Sequence, residues 1–255
     1  MALLEVENIT LTFRGLAALM DVGFSVEEGS ITSLIGPNGA GKTSMLNCIS
    51  GRYTPDSGRI SLDGQDLLAM PAHRRTTIGL SRTFQNIALF KGLSVLDNLM
   101  VGRHGRLDYG LFAALLYWGP ARRAEDRHRR RAEDIIDFLN LSPWRHQAAG
   151  RLPYGVQKRV ELGRALAAEP KLILLDEPMA GMNLEETEDM ARFILDIRDE
   201  WGATVLLVEH DMGVVMDLSD QVVVLDFGSV LAHGTPERVR TDPAVVSAYL
   251  GAEDA

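Results

Sequence analysis

The stretch of sequence that decides the fold is the glycine-rich loop Gly36-Pro37-Asn38-Gly39-Ala40-Gly41-Lys42-Thr43. It fits the phosphate-binding pattern G-x-x-x-x-G-K-[ST] at every fixed position. The apolar residues 31–35 before it predict a buried strand, and residues 44–49 after it predict a helix that ends at Gly51. A strand, a glycine loop and a helix in this order form the structural context that the pattern requires. We therefore predict a nucleoside triphosphate site here, and not a glycine-rich turn without chemical meaning.

Each part of this loop has a predicted role in binding the triphosphate. Glycines let the backbone approach a phosphate closely because they carry no Cβ. The N–H groups of residues 39–44 lie at the predicted helix N-terminus, where the helix dipole favours negative charge. Lys42 would reach the β- and γ-phosphates, and the Thr43 hydroxyl would hold Mg²⁺. The predicted nucleotide-binding residues of the loop are Gly36, Pro37, Asn38, Gly39, Ala40, Gly41, Lys42, Thr43 and Ser44.

Composition and charge narrow the classes of protein that fit. The 255 residues include 26 basic and 35 acidic side chains, and the net charge of −9 argues against a general nucleic-acid binder. The one cysteine, Cys48, fits a reducing compartment. The N-terminus lacks the pattern of a signal peptide, and no apolar run approaches the roughly 20 residues that span a bilayer. We expect a cytoplasmic protein whose membrane role, if it has one, comes through a partner.

The order of patterns along the chain predicts an α/β fold. Short alternating segments between residues 4 and 26 and at 58–64 suggest an antiparallel β layer. Residues 93–166 have a helical pattern, and the apolar runs 171–176 and 204–208 indicate strands buried on both faces of a parallel sheet. We predict a single domain with a parallel-sheet core, an antiparallel β layer and an inserted helical subdomain. The predicted parts are residues 1–86 and 168–255 for the core and 87–167 for the helical subdomain.

Two carboxylates and a histidine follow the predicted strands of the parallel sheet. Asp176 and Glu177 end one strand, where Asp176 can reach Mg²⁺ through its water shell and Glu177 can take a proton from the attacking water. A helix N-cap is the alternative interpretation of this acidic pair. His210 ends the next strand, which should lie beside the strand of Glu177. We therefore favour a contact between His210 and the γ-phosphate over a purely structural histidine.

Two further candidates depend on weaker patterns. Gln85 lies between the core and the helical lobe, where it could orient water and ligate Mg²⁺ at a hinge, although glutamine is also ordinary in loops. Phe13 could stack on adenine or pack within the antiparallel layer, and the residue pattern decides for neither. In the segment around Gln85 we expect an exposed apolar cluster that binds a partner, with packing inside the lobe as the alternative. The members of this cluster are Phe84, Ile87, Leu89 and Phe90.

These motifs in this order resemble an ATP-binding cassette (ABC) ATPase over essentially the whole chain. The matching motifs are the phosphate loop 36–43, Gln85, the signature segment 152–157, Asp176-Glu177, the D-loop 180–183 and the switch histidine His210. Residues 82–87, the insertion 102–131 and the ending 234–251 resemble one subgroup more closely, the ATPases of branched-chain amino-acid importers (LivG-like type). The resemblance implies a P-loop NTPase (RecA-like) core that hydrolyses ATP with Mg²⁺ to power a membrane importer.

The resemblance also implies an assembly. In the family, two such subunits enclose two ATP molecules head to tail, so Gly155 of the signature segment would contact the partner's ATP. Phe13 matches the aromatic position that stacks on adenine. The implied partners are a second, non-identical ATPase subunit, two transmembrane permease subunits that dock near residues 84–100, and, indirectly, a solute-binding protein, with no nucleic acid. The chain would then be a peripheral subunit at the cytoplasmic face of the cell membrane.

Two departures from the family pattern bear on this assembly. Pro153, followed by Tyr154, replaces the signature serine that donates to the partner's γ-phosphate. A lost hydrogen bond to a charged group costs about 1.5–3 kcal/mol. Asn183 replaces the D-loop aspartate. A heterodimer would have only one weakened site, so we expect a non-identical partner; compensation by N–H groups near Gly155 in a homodimer is the alternative.

Four questions stay open at the level of sequence. The apolar residues 111–118 could pack on the lobe or dock a partner, and the arginines of residues 122–131 could face solvent or phospholipid headgroups. A non-transport ABC-type ATPase of DNA repair or translation is the alternative function, which the single cassette and the lack of a basic face disfavour. The solute could be a branched-chain amino acid, urea, an amide or another small molecule.

Overall fold

The computed structural model describes residues 1–83, 87–106 and 120–253 of the chain. Within these ranges the strands are β1 (Ala2–Phe13), β2 (Leu16–Glu27), β3 (Ile31–Ile35), β4 (Ser57–Leu62), β5 (Gln65–Asp66), β6 (Leu80–Arg82), β7 (Leu172–Asp176), β8 (Thr204–Val208), β9 (Gln221–Asp226) and β10 (Ser229–Gly234). The α-helices are α1 (Lys42–Ser50), α2 (Ala72–Arg75), α3 (Val95–Gly102), α4 (Pro120–Phe138), α5 (Tyr154–Ala167), α6 (Leu184–Asp199), α7 (Met212–Leu218), α8 (Pro236–Arg240) and α9 (Pro243–Glu253).

The strands form two sheets. Strands β2, β1, β4 and β5 form an antiparallel sheet in that order, and β10, β9, β3, β8, β7 and β6 form the second sheet. Neighbours in the second sheet are parallel, except that the edge strand β10 pairs antiparallel with β9. The predicted α/β class, with a parallel core and an antiparallel β layer, is therefore confirmed. The short strand β6 was not predicted, and it extends the parallel sheet beyond β7.

Strands β3, β7 and β8 are buried along their whole length because both faces of the parallel sheet are covered. Along β7 the side chains alternate between the two faces. Ile173 and Leu175 join the hydrophobic cluster formed with the helices, whereas Leu172 and Leu174 join the cluster formed with the antiparallel sheet. The carboxyl ends of these three strands meet at one edge of the sheet, which places the segments that follow them side by side.

Helices α3, α4 and α5 belong to the segment inserted between β6 and β7. Their buried residues, among them Leu99, Ile135 and Val160, lie in the same hydrophobic cluster as Ile173 of β7. A Cβ on Gly163 of α5 would lie 2.9 Å from a methyl carbon of Leu139, so glycine permits α5 to pack closely against Leu139. The inserted helices and the parallel sheet thus bury apolar surface together. The division into a core of residues 1–86 and 168–255 and a helical subdomain of residues 87–167 stays a prediction.

The segment next to α3 corrects one expectation about the apolar cluster around residue 87. Leu89 is buried and contributes to the hydrophobic cluster of the helices, and Ile87 packs partly buried against it. Asn98 of α3 holds the loop in place, because its side chain accepts from the Phe90 N–H at 2.9 Å and donates to the Phe90 carbonyl at 3.2 Å. Of these three side chains, Leu89 is buried, Ile87 is partly buried and Phe90 is 52% exposed.

Several sequence predictions fall outside the described residues. They concern Gln85 and Phe84, the apolar segment 111–118, and the side chains of Arg122 and Arg123. Across the ranges that are described, none of the helices has both the length and the apolar character required to cross a membrane.

Candidate functional site

The phosphate loop lies between β3 and α1 and requires glycine at two points. Gly36 has φ 147°, and a Cβ there would lie 2.0 Å from the carbonyl oxygen of Leu225. Gly41 has φ 105°, and a Cβ there would lie 2.8 Å from the carbonyl oxygen of Ala18. Gly41 is also the N-cap of α1, where no side chain of the described residues caps the helix. The first N–H groups of α1 can therefore bind an anion.

Lys42, the first residue of α1, folds back over the loop. Its ammonium donates to the carbonyl oxygens of Gly36 at 2.6 Å and Pro37 at 3.0 Å. Burial lowers the pKa of the Lys42 ammonium below its ordinary value, although the nearby carboxylates of Glu177 and Asp176 oppose this effect. A partly desolvated cation above a glycine loop is an arrangement that gains strongly from an incoming phosphate.

Asp176 ends β7 with its side chain buried. Its Oδ2 accepts from the guanidinium of Arg82 at 2.9 Å, whereas its Oδ1 is buried and has no hydrogen-bond partner among the described residues. An unpartnered carboxylate oxygen beside a phosphate loop fits a Mg²⁺ site, because Mg²⁺ prefers oxygen ligands and keeps several of its waters. No cluster of three or more His, Cys, Asp or Glu residues in the described ranges could hold a metal by itself. A cation here would need the phosphates and the Thr43 hydroxyl as further ligands.

Glu177 and His210 form a close pair at the edge of the sheet. Strands β7 and β8 are parallel neighbours, with Asp176 opposite Val208, so the predicted proximity of the two strand ends is confirmed. The Nε2 atom of His210 lies 2.5 Å from Oε1 of Glu177. With Nε2 protonated, His210 donates to the Glu177 carboxylate, since an ionised carboxylate can only accept. Glu177 itself has φ 50°, a left-handed backbone conformation that is uncommon for a residue with a side chain.

Sequence reasoning missed Glu209, the residue before His210. Glu209 is buried, and its carboxylate accepts from the Met179 N–H at 2.9 Å and from the His210 N–H at 3.2 Å. Burial raises the pKa of Glu209 above its ordinary value, and these two hydrogen bonds oppose the shift. Glu209 therefore ties the loop after Glu177 to the loop that carries His210. The sequence pattern that could have identified Glu209 is an acidic residue directly after a buried strand.

One cavity of about 290 Å³ unites most of the predicted site. Its lining comprises Ala18, Asn38, Gly39, Ala40, Gly41, Lys42, Thr43, Ser44, Glu177 and His210. Asp176 and Phe13 are not part of this lining. A larger cavity, of about 570 Å³, lies between α2 and β6 on one side and α3 and α5 on the other. The larger cavity is lined by no residue of the phosphate loop, so the smaller one is the candidate nucleotide site.

Phe13 and the signature segment do not line this cavity. The Phe13 ring packs edge-on against Tyr53, with centroids 5.1 Å apart, and Phe13 remains 43% exposed. Gly155 faces its own chain, because a Cβ there would lie 2.2 Å from Oε1 of Glu186. The Tyr154 hydroxyl donates to the carbonyl oxygen of Ala180 at 3.1 Å. The signature segment of this chain is thus bound to its own D-loop.

Asn183, which replaces the D-loop aspartate, has a structural role in the chain. It is the N-cap of α6, where its side chain accepts from the Glu186 N–H at 2.9 Å. The Glu186 carboxylate in turn accepts from the Asn183 N–H at 3.1 Å, which completes a capping box. The acceptor oxygen that Asn183 retains is therefore used to begin α6.

Comparisons with known proteins agree with this geometry. Residues 19–180 match the family described as ABC transporter, and residues 229–255 match the family described as branched-chain amino acid ATP-binding cassette transporter. The high-affinity branched-chain amino acid transport ATP-binding protein BraF of Pseudomonas aeruginosa is 43% identical over 249 residues, covering 98% of each chain. The protein LivG of Escherichia coli, described in the same words, is 41% identical over 249 residues, again covering 98% of each.

Solved structures show the same similarity. The crystal structure of an ATP-binding cassette of an ABC transporter in its ADP conformation superposes with a TM-score of 0.85. It is 34% identical in sequence, and the match covers 98% of this chain and 99% of that one.

Proposed function

Because the chain belongs to the ABC transporter family, we propose that it is the ATP-binding and ATP-hydrolysing subunit of a membrane importer. The observation that carries this proposal is the cavity that unites the phosphate loop with Glu177 and His210. Branched-chain amino acids are the proposed solute, since BraF and LivG are named for their transport. A non-transport ATPase of DNA repair or translation is not favoured, because these relatives are transport proteins and the net charge is −9.

The phosphate loop would bind the triphosphate through Lys42 and the N–H groups at the start of α1. In this step the Lys42 ammonium exchanges the carbonyls of Gly36 and Pro37 for phosphate oxygens. Thr43, Asp176 and Gln85 are the residues proposed to hold Mg²⁺, with Asp176 acting through Oδ1. Bound Mg²⁺ would neutralise charge on the β- and γ-phosphates. Phe13, which is partly exposed at the end of β1, is proposed to stack on adenine.

Glu177 and His210 would act on the γ-phosphate end of the nucleotide. The Glu177 carboxylate is proposed to accept the proton of the attacking water. His210 holds that carboxylate through Nε2 and can turn the same N–H towards the γ-phosphate once water occupies the carboxylate. Glu209 would keep the two loops in register during this exchange, because it binds one backbone N–H from each of them.

Purified protein tests the hydrolytic part of the proposal. We expect slow MgATP hydrolysis by the chain alone and loss of most ATP binding in Lys42→Ala, measured by titration calorimetry. Lys171→Ala is the matched control, since Lys171 is a half-exposed lysine paired with Asp63 outside the cavity.

Glu177→Gln should still bind ATP but not turn it over. Retention of more than about a tenth of kcat, a barrier change of roughly 1.4 kcal/mol, would exclude Glu177 as the main base.

Membership of the family implies a dimer of ATPase subunits together with a membrane permease, and we propose that the second ATPase is a different chain. Pro153 has no hydroxyl to donate to a partner's γ-phosphate. Gly155 would still approach that ATP at the N-terminus of α5. Light scattering on Glu177→Gln with ATP tests this point. A tight homodimer of this variant, together with reconstituted transport by the wild-type chain without another ATPase, would contradict it.

The proposed docking site for the permease subunits is near residues 84–100, with the chain at the cytoplasmic face of the membrane. Phe90 and Leu93 support this proposal because both are exposed apolar side chains in the described part of that segment, whereas Leu89 is buried. A cysteine at position 90 should crosslink to the cytoplasmic loops of the permease. A cysteine at position 89, which is buried, is the matched control and should not react. Crosslinks that form only elsewhere would place the docking site outside this segment.

The solute would be selected by the permease and by a solute-binding protein, which are separate chains. Uptake of labelled leucine into vesicles that contain the whole assembly tests the proposed solute. Urea and a short amide serve as competing substrates in the same assay. Uptake of either of these without leucine uptake would contradict the proposed solute while leaving the ATPase assignment intact.

A further inference from the structure

Arg82, the last residue of β6, links two elements of the site through one guanidinium group. Its Nη2 donates to Oδ2 of Asp176 at 2.9 Å, on β7. Its Nη1 donates to Oδ1 of Asn47 and to Oγ of Ser50, both at 2.8 Å, on α1. Only 7% of the Arg82 side chain and 3% of the Asp176 side chain are exposed. The strand that carries Asp176 and the helix that carries Thr43 are thus joined by a buried group.

This contact determines which carboxylate oxygen of Asp176 remains for other ligands. Oδ2 is occupied by Arg82, and Oδ1 is the buried atom without a hydrogen-bond partner in the described ranges. A carboxylate held on one oxygen cannot rotate about its own axis without breaking that bond. Oδ1 therefore keeps a fixed direction relative to α1, which begins with Lys42 and Thr43.

Two effects of Arg82 on a nearby cation oppose each other. As a positive charge, Arg82 repels Mg²⁺ and weakens its binding. As a hydrogen-bond donor to the ligand, it fixes the orientation of Asp176, and such outer contacts of metal ligands strengthen metal binding. Asn47 and Ser50 hold the guanidinium on its other side, so the charge is spread over several acceptors while the geometry is fixed. The geometry favours the second effect.

We propose that Arg82 is a positioning residue for nucleotide-bound Mg²⁺. It fixes Oδ1 of Asp176 relative to the Thr43 hydroxyl by tying β7 to α1. This inference rests on the proposed MgATP site and adds a residue to it that neither the phosphate-loop pattern nor the Asp-Glu pair contains. It predicts that loss of Arg82 weakens metal binding, although a positive charge is removed.

The test measures ADP affinity by titration calorimetry with and without Mg²⁺. In wild type, Mg²⁺ should tighten ADP binding. We call the ratio of ADP affinities with and without Mg²⁺ the Mg²⁺ gain. In Arg82→Gln this gain should fall by about 10–100-fold, the usual effect of removing an outer contact of a metal ligand. The metal-free ADP affinity should stay unchanged. Arg82→Lys should restore part of the gain, because lysine can donate to Asp176 but lacks the planar fork that reaches α1 as well. The EPR spectrum of Mn²⁺, a metal that accepts the same oxygen ligands, should change in parallel.

Arg103 provides a matched control for the loss of a buried arginine. Its side chain is 6% exposed and is held by His128, the carbonyl of Ala167 and Glu169. Arg103→Gln should lower stability but leave the Mg²⁺ gain at its wild-type value. In the Asp176→Asn background, Arg82→Gln should cause no further loss of that gain, because its target is already altered. Thermal melting verifies that each variant folds. If Arg82→Gln does not fold, Asn47→Ala and Arg82→Lys are measured in its place.

The outcomes separate this inference from the proposed function. If Mg²⁺ does not tighten ADP binding in wild type, the proposed site itself is wrong, and the role of Arg82 falls with it. If wild type responds and Arg82→Gln retains or exceeds the wild-type gain, only the role of Arg82 is overturned. An equal loss of ADP affinity with and without Mg²⁺, or the same loss of the gain in Arg103→Gln, would also overturn it.

Discussion

Two regions of this chain use glycine for different purposes. In the phosphate-loop region, residues 36–50, a Cβ on Gly36 would lie 2.0 Å from a backbone carbonyl oxygen of β9. In the signature region, residues 152–186, a Cβ on Gly155 would lie 2.2 Å from the carboxylate of Glu186. A strand backbone inside a sheet cannot move aside, whereas the end of a glutamate side chain can. A backbone contact therefore requires glycine at position 36, whereas a side-chain contact lies against the glycine at position 155.

The side-chain contacts of the signature region lead back to the candidate catalytic loop. The Tyr154 hydroxyl binds the carbonyl of Ala180, and the Lys158 ammonium donates to the carbonyl of Glu177 at 3.3 Å. The N-terminal part of α5 is therefore attached at two points to the segment that follows β7. Because these attachments are side chains, they can be weakened one at a time without disturbing the sheet.

The largest effect is expected for Gly36→Ala. The substitution combines a left-handed φ with a clash against the Leu225 carbonyl, so we expect destabilisation by roughly 2–6 kcal/mol and loss of ATP binding. Gly39→Ala is the stability control, because Gly39 has φ 83° but nothing within 4 Å of its Cβ position. Urea unfolding measures both variants. Equal destabilisation by the two substitutions would show that the backbone contact of Gly36 is unimportant.

A second test concerns the packing of α1 in the phosphate-loop region. Burial raises the pKa of the Cys48 thiol from 9.0 to about 11. Between these two pKa values the folded state keeps the thiol proton and the unfolded state loses it. The contribution of the buried thiol to the free energy of unfolding is therefore complete below the unfolded pKa and is lost as pH rises from about 9 to 11. The loss should approach about 3 kcal/mol. Urea unfolding of wild type and Cys48→Ala at pH 8 and at alkaline pH measures the difference, which vanishes if the thiol is accessible to water.

Gly155→Ala should have a smaller effect than Gly36→Ala despite the similar distance. Glu186 can swing away, at the expense of its bond to the Asn183 N–H, and alanine is a better helix former than glycine near the start of α5. We expect a net change within about 1 kcal/mol. The double variant Gly155→Ala with Glu186→Ala should remove the clash altogether. A destabilisation as large as that of Gly36→Ala would erase the distinction between the two regions.

Tyr154→Phe should give the smallest change. It removes one hydrogen bond, to the Ala180 carbonyl, from a side chain that is 45% exposed. We expect a loss of stability of about 0.5–1 kcal/mol, at the low end for a hydrogen bond because water can replace it. The more sensitive measurement is hydrogen exchange in residues 178–183, which should become faster while exchange in α1 does not change. Unchanged exchange in the D-loop would mean that the tyrosine does not hold it.

The amino-acid sequence by itself determined the parts of the site that are built from neighbouring residues. The phosphate loop was predictable because its function depends on glycines and a lysine at fixed spacing within one turn of chain. The ends of the strands that precede Glu177 and His210 were predictable because buried parallel strands have continuous apolar runs. Family and fold followed from the order of these motifs, and the comparisons confirm both.

Only the tertiary structure decided which distant side chains contact the candidate site. Arg82 reaches Asp176 across 94 positions of sequence, and Glu209 reaches the Met179 backbone across 30. These contacts exist because β7 lies between β6 and β8, an order that no local pattern contains. The burial of Leu89 was decided in the same way, by a helical cluster that assembles from distant parts of the chain. A spacing rule describes one stretch of backbone, whereas these contacts depend on how several stretches pack together.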